Sequence, residues 1–271
     1  MRNDLIEIEK ISPVFGAKIH GVDLSKPLDD GTFERIHDAW MEHKVVAFPD
    51  QHLEHEAYIA FASRFGEPYG PPISHEDKSR TTIVQELRND ESSKSAFGET
   101  WHSDMTSTEK PPMATMLRLV QIPPYGGGDT LFADMGALYD AMSEPMKQML
   151  DGMTAMHDSS VFARKYGIKD ELPTAVHPVV RTHPVTGKKS LFVNCRFTTR
   201  ILELEEFESN AVLQMLFKHV AETSVFHMRF RWEKDTLLLW DNRCLQHTAL
   251  FDYWPHLRLG YRLMVRGDKP F

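Results

Sequence analysis

Short apolar stretches separated by Gly, Pro, Asn and Asp dominate the hydrophobic pattern of the chain. Stretches of this kind that are rich in Val, Ile, Thr and aromatic residues are typical of β-strands. We predict strands over Leu5–Ile11, Ala17–Val22, Val45–Phe48, Thr81–Leu87, Glu99–Thr106, Ala114–Gln121, Leu191–Asn194, Phe226–Trp232, Thr236–Trp240 and Arg258–Val265. Apolar residues at helical spacing predict helices around Phe33–Trp40, Glu54–Phe65, Met135–Met153 and Glu205–Val220.

The order of these elements indicates the fold class. Strands dominate, and the strict alternation of strand and helix that Rossmann folds and TIM barrels require is absent. We therefore expect a mainly β fold with peripheral helices (α+β), whose core is a double-stranded β-helix, or jelly roll. No Gly/Ser-rich linker, low-complexity tract or internal repeat interrupts the sequence, so residues 1–271 are expected to form a single domain.

Composition and net charge exclude several classes of protein and of binding partner. The contents of 41% hydrophobic and 26% charged residues are those of a globular chain and exclude a disordered or collagen-like one. The net charge is −8 and no run of basic residues occurs, so we expect neither nucleic-acid nor membrane binding. The two cysteines suit a reducing compartment, and the N-terminus lacks the apolar stretch of a signal peptide; a cytoplasmic location is expected.

Histidine is abundant, with 14 residues, and three pairs of the form His-x-Asp or His-x-Glu are candidate metal ligands. A strand places residues i and i+2 on one face, about 6.6 Å apart. The three pairs are His52-Leu53-Glu54, His75-Glu76-Asp77 and His102-Ser103-Asp104. The first lies at a predicted helix start and the second in a polar loop, so the third is favoured. The alternative is that His102 is a half-buried histidine with ordinary hydrogen bonds.

A third ligand is offered by His247, which follows the apolar strand Thr236–Trp240. Two imidazoles and one carboxylate with open positions form the facial triad suited to non-haem Fe(II) and O2 chemistry. Three alternatives remain open from the residues alone. His247 ends a strand and binds nothing, the same residues hold a zinc ion for hydrolysis, or the jelly roll is a non-catalytic binding module.

Two arginines follow on the last predicted strand. Arg258 and Arg262 share strand parity and therefore project from one face, about 13 Å apart, with Gly260 between them. On the inner face of a barrel, each guanidinium would need an anion, and arginine binds carboxylates bidentately. In the opposite orientation both arginines are solvated, and Leu259, Tyr261 and Leu263 form the inner set. Parity leaves both orientations open.

Further motifs stand in order along nearly the whole chain, from about Gly16 to Phe271. They are Trp101-His102-Ser103-Asp104, Gly127-Gly128-Asp129-Thr130, His177-Pro178-Val179-Val180-Arg181-Thr182-His183-Pro184, Phe192-Val193-Asn194, Phe197-Thr198-Thr199-Arg200-Ile201, Trp240-Asp241-Asn242-Arg243, His247 and Arg258-x3-Arg262. Together they resemble the taurine dioxygenase-like (TauD/TfdA) family of Fe(II)- and 2-oxoglutarate-dependent dioxygenases.

The resemblance implies roles for five of these residues. His102, Asp104 and His247 would be the iron ligands. Arg258 falls where family members bind the distal carboxylate of 2-oxoglutarate, and Thr130 where a hydroxyl assists that contact. The implied fold is the double-stranded β-helix, and the implied cofactors are Fe(II), 2-oxoglutarate as co-substrate and O2.

The resemblance also implies a substrate class. Arg262 falls where family members hold the acidic group of the primary substrate, and Phe197 belongs to the same pocket. We expect hydroxylation of a small organic anion (a sulfonate, a carboxylate or phenoxy acid, or a sulfate ester) with release of succinate and CO2, by a homo-oligomer.

Two departures from taurine dioxygenase bear on the substrate. Gly98 stands where that enzyme has an amide side chain, so taurine is not the expected substrate. Arg196, directly before Phe197, contacts an anion or projects outward from a strand, and we expect the outward position. The polar segment from Asp158 to Thr174 is expected to form a lid over the site.

Overall fold

Short strands and a few helices build the protein, and the computed structural model describes residues 6–70, 83–96, 98–160 and 172–271. The strands are β1 (Glu7–Lys10), β2 (Ala17–His20), β3 (Val45–Phe48), β4 (Pro68–Tyr69), β5 (Gln85–Asn89), β6 (Ala114–Gln121), β7 (Thr130–Asp134), β8 (Thr154–Asp158), β9 (Thr174–Pro178), β10 (Val180–Thr182), β11 (Lys189–Leu191), β12 (Thr198–Ile201), β13 (His227–Phe230), β14 (Thr236–Asp241), β15 (Leu245–Ala249) and β16 (Arg258–Val265). The α-helices are α1 (Asp30–His43), α2 (His55–Ser63), α3 (Met135–Asp140), α4 (Glu144–Leu150) and α5 (Glu206–Glu222).

A large, mostly antiparallel sheet forms one layer, with strand order β1-β2-β3-β14-β6-β16-β4 and with β5 also paired to β16. Its central strands are buried on both faces, because successive side chains alternate between two cores. In β3, Val46 and Phe48 belong to a core under α1 and α2, whereas Val45 and Ala47 belong to a core on the opposite face. This double burial explains why the central strands are nearly continuous apolar runs.

The smaller sheet β13-β7-β15 closes the second core. Phe132 on β7, Phe230 on β13 and Leu245 on β15 pack against Leu117 and Leu238 of the large sheet. The two sheets therefore form a sandwich with an apolar interior, as expected for a jelly roll. A third core lies beyond the small sheet, where α3 and α5 cover β8, β11 and β12.

Two sequence predictions are wrong in this part of the chain. The helix expected over Met135–Met153 is divided into α3 and α4, because Ser143 and Pro145 begin a new helix. The segment Leu191–Asn194 is strand only at its start, in β11.

Among the described residues, none of the helices is long and apolar enough to cross a membrane.

Several strands of the structure are absent from the hydrophobic pattern. They are β4, β7, β8, β9, β10, β12 and β15. The strand β15 illustrates the reason: it is almost completely buried, yet it contains Gln246, His247 and Thr248. Polar residues that a buried site requires remove the apolar signal that identifies a strand.

Candidate active site

His102 and His247 lie on adjacent segments that are joined by a reciprocal pair of backbone hydrogen bonds. The amide of His102 donates to the carbonyl of His247 (3.1 Å), and the amide of His247 donates to the carbonyl of His102 (2.8 Å). The hydroxyl of Ser103 adds a bond to the carbonyl of Leu245 (2.7 Å). His247 belongs to β15, which fixes its position within the small sheet. The segment containing His102 is thereby held at the edge of that sheet.

Asp104 begins a turn, so the strand predicted over Glu99–Thr106 is wrong. The amide and the hydroxyl of Thr108 both donate to the carbonyl of Met105 (3.0 and 2.9 Å), and Met105 has a positive φ of 47°. The turn nevertheless brings the two predicted ligands together, with 3.8 Å between His102 Nε2 and Asp104 Oδ1. The proximity expected from strand spacing therefore arises from a turn.

The ring of His102 is oriented by a backbone carbonyl. Its Nδ1 lies 2.6 Å from the carbonyl oxygen of Thr100 and must carry the proton, because a carbonyl only accepts. The lone pair of Nε2 is then directed toward Asp104. The ring of His247 lies 4.2 Å from that of His102 between centroids. Such outer hydrogen bonds fix the tautomer of metal-binding histidines.

Asp104 is held through one of its two oxygens. The hydroxyl of Thr115 donates to Oδ2 (2.7 Å) and accepts from the side-chain amide of Asn242 (2.8 Å). Asn242 Oδ1 in turn accepts from the indole of Trp240 (3.1 Å). This chain of bonds leaves Oδ1 facing the imidazoles. Sequence reasoning missed Thr115, which carries no motif signal, and gave Asn242 no role although it stands in a quoted motif.

The three side chains form a buried donor set suited to a metal ion. Their candidate ligand atoms all lie within 4.8 Å of one another. Burial lowers the pKa of His102 well below its ordinary value and lowers the pKa of His247 to about 4. Burial opposes ionisation of Asp104, but nearby His247 and Arg262 outweigh it and hold its pKa below the usual range. Two neutral imidazoles and a carboxylate fit a divalent iron ion.

The orientation of β16 decides between the two placements left open for its arginines. Arg262 pairs in register with Leu117, on the face that looks into the sandwich, and Leu263 belongs to the core under α1 and α2. Arg258 is 6% exposed and Arg262 is 7% exposed. The arginines therefore point inward, and the alternative with a solvated pair is wrong.

Arg258 lies in an aromatic cleft without a described anionic partner. Its guanidinium carbon is 5.7 Å from the ring of Trp232 and 5.9 Å from that of Tyr253. Its Nε has no hydrogen-bond partner, and no carboxylate among the described residues lies within 4 Å of it. A Cβ on Gly128 would lie 2.7 Å from Arg258 Cδ, so glycine gives the arginine its space. Thr130, whose hydroxyl accepts from Trp232 (3.1 Å), is also buried here.

Arg262 lies directly beside the metal-ligand group. Its NH1 is 3.6 Å from Asp104 Oδ1, and its NH2 donates to the side-chain carbonyl of Gln85 (2.7 Å). Gln85 begins β5, which pairs with β16 and thereby positions this amide. An anion bound to Arg262 would therefore lie next to Asp104.

Arg196 and Phe197 occupy a turn before β12 rather than a strand. The ring of Phe197 is 6.5 Å from that of His102, which places this predicted substrate contact at the site. Arg196 is only 7% exposed, so the expected outward position is wrong. The turn folds the side chain back over Phe197, whose ring centroid lies 5.5 Å from the guanidinium carbon.

A second group in the structure also combines histidine with aspartate. We call His183, Asp241, Arg243 and Cys244 the Asp241 cluster. Oδ1 of Asp241 accepts from the amide (2.9 Å) and Nε (2.8 Å) of Arg243. Oδ2 accepts from Arg243 NH2 (2.7 Å) and His183 Nε2 (3.0 Å). Burial keeps the pKa of the Cys244 thiol well above its ordinary value. With both oxygens occupied and the thiol protonated, the cluster is a structural network.

The remaining predictions concern segments away from the site. The side chain of His52 is 79% exposed and lies two residues before the N-cap of α2, close to the predicted helix terminus. The pair in His75-Glu76-Asp77 lies outside the described residues. So does most of the predicted lid, since residues 161–171 are not described.

The chain is similar to known dioxygenases along nearly its whole length. Residues 7–267 match the family described as "Taurine catabolism dioxygenase TauD, TfdA family". An alpha-ketoglutarate-dependent sulfonate dioxygenase of Saccharomyces cerevisiae is 32% identical, over 98% of this chain and 68% of that protein. An alpha-ketoglutarate-dependent sulfate ester dioxygenase of Pseudomonas putida is 31% identical, over 98% and 91%.

Solved structures agree with the predicted jelly roll. A taurine dioxygenase from Burkholderia xenovorans superposes with a TM-score of 0.84 and 33% identity, and the match covers 98% of this chain and 90% of that one. These relatives give no support to the zinc hydrolase or the non-catalytic module. The resemblance inferred from the motifs is confirmed: the chain belongs to the TauD/TfdA family and is a 2-oxoglutarate-dependent dioxygenase.

Proposed function

We propose that this protein is an Fe(II)- and 2-oxoglutarate-dependent dioxygenase that hydroxylates a small organic sulfonate or sulfate ester at the carbon bearing the anionic group. The observation that carries the proposal is the position of Arg262, 3.6 Å from Asp104 Oδ1. An anionic head group bound to Arg262 would therefore lie beside the metal. The named relatives that oxidise sulfonates and sulfate esters support the same substrate class.

His102, Asp104 and His247 would hold the iron. Bound Fe(II) supplies the oxidative chemistry, in which 2-oxoglutarate and O2 are converted to succinate and CO2 with insertion of one oxygen atom into a C–H bond of the substrate. The protein's task is positioning. Thr115 keeps Asp104 Oδ2 engaged, so that Oδ1 is presented to the ion, and Thr100 keeps His102 Nε2 unprotonated.

Arg258 and Thr130 would bind the distal carboxylate of 2-oxoglutarate. The buried Nε of Arg258 has no hydrogen-bond partner, and a carboxylate would satisfy it. The rings of Trp232 and Tyr253 lie near the guanidinium, and Arg258 is almost completely buried, so a charge-assisted hydrogen bond is strengthened by the exclusion of water. Gly128 leaves room for the approach.

Arg262 would bind the anionic head group, and Phe197 would pack against the carbon chain. For a sulfonate R–CH2–SO3⁻, hydroxylation at the adjacent carbon gives a hydroxysulfonate. The C–S bond of that product breaks with its electron pair leaving on sulfite, and the hydroxyl proton is transferred to the sulfite. The products are then the aldehyde RCHO, bisulfite, succinate and CO2.

Succinate and sulfite release test the proposal. Protein purified without oxygen is mixed with Fe(II) and 2-oxoglutarate, the visible charge-transfer band of the chelate is recorded, and O2 is admitted with alkyl sulfonates or sulfate esters. We expect the band, and substrate-stimulated succinate together with sulfite or sulfate. H247Q should lose both signals, whereas the matched control H52Q, at an exposed histidine, should retain them. A wild type that gives neither band nor succinate contradicts the proposal.

The two arginines should separate in their kinetics. R258Q should raise the KM for 2-oxoglutarate, and R262Q the KM for the sulfonate, each by about tenfold or more for a lost charge-assisted contact. Equal effects of both substitutions on both KM values would contradict the assignment.

We also propose that the chain forms one domain, is cytoplasmic and assembles as a homo-oligomer that binds neither nucleic acid nor membranes. The free thiols of Cys195 and Cys244 support a reducing compartment, and the acidic net charge supports the exclusion of nucleic acid. Light scattering and cell fractionation test these points.

A further inference from the structure

Two turns meet beside the proposed iron site. The first, residues 104–108, carries Asp104, and we call it the ligand turn. The second, residues 194–198, carries Phe197, whose ring lies 6.5 Å from that of His102, and we call it the substrate turn. Oxygen insertion requires that a C–H bond of the substrate is held at a fixed distance from the metal. That distance depends on how the two turns are placed relative to each other.

The two turns are joined through side chains. Asn194 Nδ2 donates to the hydroxyl oxygen of Thr106 (3.0 Å) across 88 positions of the sequence, and both residues are almost completely buried. Within the part of the chain that the structure describes, backbone hydrogen bonds do not link the two turns. The segments of His102 and His247, in contrast, are joined by reciprocal backbone bonds. The relative placement of the turns therefore depends on the side chains at positions 106 and 194.

Asn194 also holds the substrate turn together from within. Its Oδ1 accepts from the amides of Arg196 (3.2 Å) and Phe197 (3.0 Å), and its backbone amide donates to the hydroxyl of Thr198 (2.9 Å). Asparagine can accept at Oδ1 and donate at Nδ2 at the same time, whereas an ionised aspartate can only accept. One side chain thus orients the backbone of Phe197 and bonds it to the ligand turn.

Thr106 is supported by a buried histidine. Its hydroxyl oxygen accepts from Asn194, so its own proton is available to Nδ1 of His157, 2.9 Å away. Burial lowers the pKa of His157 to about 3, so the ring is neutral and Nδ1 can accept this proton. The hydroxyl of Thr198 lies 3.3 Å from the same nitrogen. His157, on β8, therefore contacts both turns and stabilises the bond between them.

We propose that Asn194 and Thr106 are positioning residues, which set the place of the substrate relative to Asp104 and thereby keep oxygen insertion coupled to the decarboxylation of 2-oxoglutarate. The inference rests on the proposed function and deepens it. When the substrate is displaced, 2-oxoglutarate is still consumed, but the second oxygen atom of O2 is not inserted into a C–H bond. Ascorbate can reduce that atom to water in a two-electron step. The products of this uncoupled reaction are succinate, CO2, water and dehydroascorbate.

The ratio of sulfite to succinate tests the inference. Linear alkane sulfonates are assayed with the wild type, Fe(II), 2-oxoglutarate, O2 and ascorbate, and the one that releases most sulfite is used for every variant. The variants are T106V, the hydroxyl-retaining T106S, N194A, which breaks the same bond from its other end, the double variant, and T199V as the matched control. Thr199 directly follows the substrate turn, and its hydroxyl bonds to the carbonyl of Met156 (3.3 Å). Thermal unfolding and the anaerobic Kd values for Fe(II) and 2-oxoglutarate are measured alongside.

The wild type should form sulfite and succinate in nearly equal amounts. T106V and N194A should lower sulfite formation about tenfold or more, as expected for a small displacement of the substrate, while succinate formation falls less. T106S should restore the ratio and T199V should keep it. The double variant should resemble N194A, because both substitutions remove the same bond. The Kd values for Fe(II) and 2-oxoglutarate should stay near those of the wild type, because the proposed ligands of both are retained.

Three results would overturn the inference. The first is an unchanged ratio in T106V and N194A, and the second is a ratio that T106S does not restore. The third is a parallel loss of Fe(II) binding, succinate and sulfite, which would show that the two residues only stabilise the fold. A wild type that forms neither succinate nor sulfite contradicts the proposed function itself, so the two kinds of failure are distinguishable.

Discussion

The His102–Asp104–His247 group and the Asp241 cluster are both buried and both combine histidine with aspartate, but their carboxylates have different surroundings. Asp104 receives one hydroxyl on Oδ2, and its Oδ1 lies 3.8 Å from His102 Nε2 and 3.6 Å from Arg262 NH1. Asp241 receives three bonds from Arg243 and one from His183, with both oxygens engaged at 2.7 to 3.0 Å.

The difference shows that residue type and proximity do not define a metal site. A carboxylate can bind an ion only when one oxygen retains a directed lone pair, and the four donors on Asp241 leave none. The neighbouring rings differ as well. His102 presents Nε2 to the site, whereas His183 Nε2 donates to Asp241 and its Nδ1 accepts from the amides of Val185 and Thr186. The first group is poised for a ligand, and the second is complete.

The largest effect is expected at Asp104. In D104N the anionic ligand is lost while size and most contacts are kept, so Fe(II) binding and succinate formation should fall below detection. The folded state should persist, because the Thr115 hydroxyl still has an acceptor, Arg262 keeps its hydrogen bond to Gln85, and the amide oxygen of D104N can still accept from the guanidinium. Metal stoichiometry, succinate assays and thermal unfolding check this. Turnover at the wild-type rate would contradict the assignment of Asp104 as a ligand.

The matching substitution at Asp241 should affect stability. D241N leaves Arg243 buried beside a neutral amide, and removing one partner of a buried ion pair costs about 3–5 kcal/mol of unfolding free energy. Fe(II) stoichiometry of the folded fraction should equal that of the wild type. Urea unfolding and metal analysis measure the two quantities. Loss of metal without loss of stability would contradict the assignment of Asp241 as a structural carboxylate.

At acidic pH, the difference in unfolding free energy between the wild type and D241N should become smaller. Burial opposes ionisation of Asp241, but Arg243 and His183 outweigh it and hold its pKa below the usual range. Its stabilisation is therefore fully present above the unfolded-state pKa of about 4 and is lost as the pH falls through the lower folded-state value. Urea unfolding of both proteins at pH 7 and at pH 3 checks this, and a difference that grows in acid would contradict it.

A smaller effect is expected from the support of Asp104. T115V removes the hydroxyl that engages Oδ2, and such outer contacts are worth about 10–100-fold in metal affinity. T199V is a matched control, because that hydroxyl bonds only weakly to the carbonyl of Met156 (3.3 Å), outside the site. Fe(II) titration should show weaker binding in T115V and unchanged binding in T199V. Equal Fe(II) affinities of T115V and T199V would contradict a supporting role for Thr115 at the metal site.

The smallest effect is expected at Cys244. Its thiol is buried and protonated, and it makes only a long contact of 4.0 Å with the carbonyl of Asp241. C244A should leave metal content unchanged and alter the unfolding free energy by about 1 kcal/mol. A loss of bound metal in C244A would indicate that the Asp241 cluster binds an ion after all.

Sequence reasoning identified the residues of the site more successfully than the elements that carry them. The motifs pointed to His102, Asp104, His247, Arg258 and Arg262, and all five side chains are buried. The structure brings the first three together and places Arg262 beside Asp104, whereas Arg258 lies in its own aromatic cleft on the same strand as Arg262. The motifs identify these residues because the chemistry of the site requires particular residue types in a particular order along the chain. The same chemistry does not require a particular backbone conformation around them.

The errors have specific physical causes. The segment around His102 contains β-compatible residues, but its backbone pairs with β15 only at one position and then turns. The shared parity of Arg258 and Arg262 could not decide their orientation, because both faces of β16 are covered, one by helices and the other by the small sheet. The outward position predicted for Arg196 is wrong because the residue lies in a turn held by the Asn194 side chain, which the strand pattern does not reveal.

The reciprocal amide bonds between His102 and His247 have a consequence for how the protein folds. Ser103 and Leu245, in the same pair of segments, are separated by 142 positions, so closing this contact costs loop entropy and depends on non-local pairing. The ligands cannot be adjacent in a nascent chain before the C-terminal strands have emerged. Once they meet, backbone bonds hold the two segments together, so the ion can enter or leave a preformed cradle without the chain unfolding.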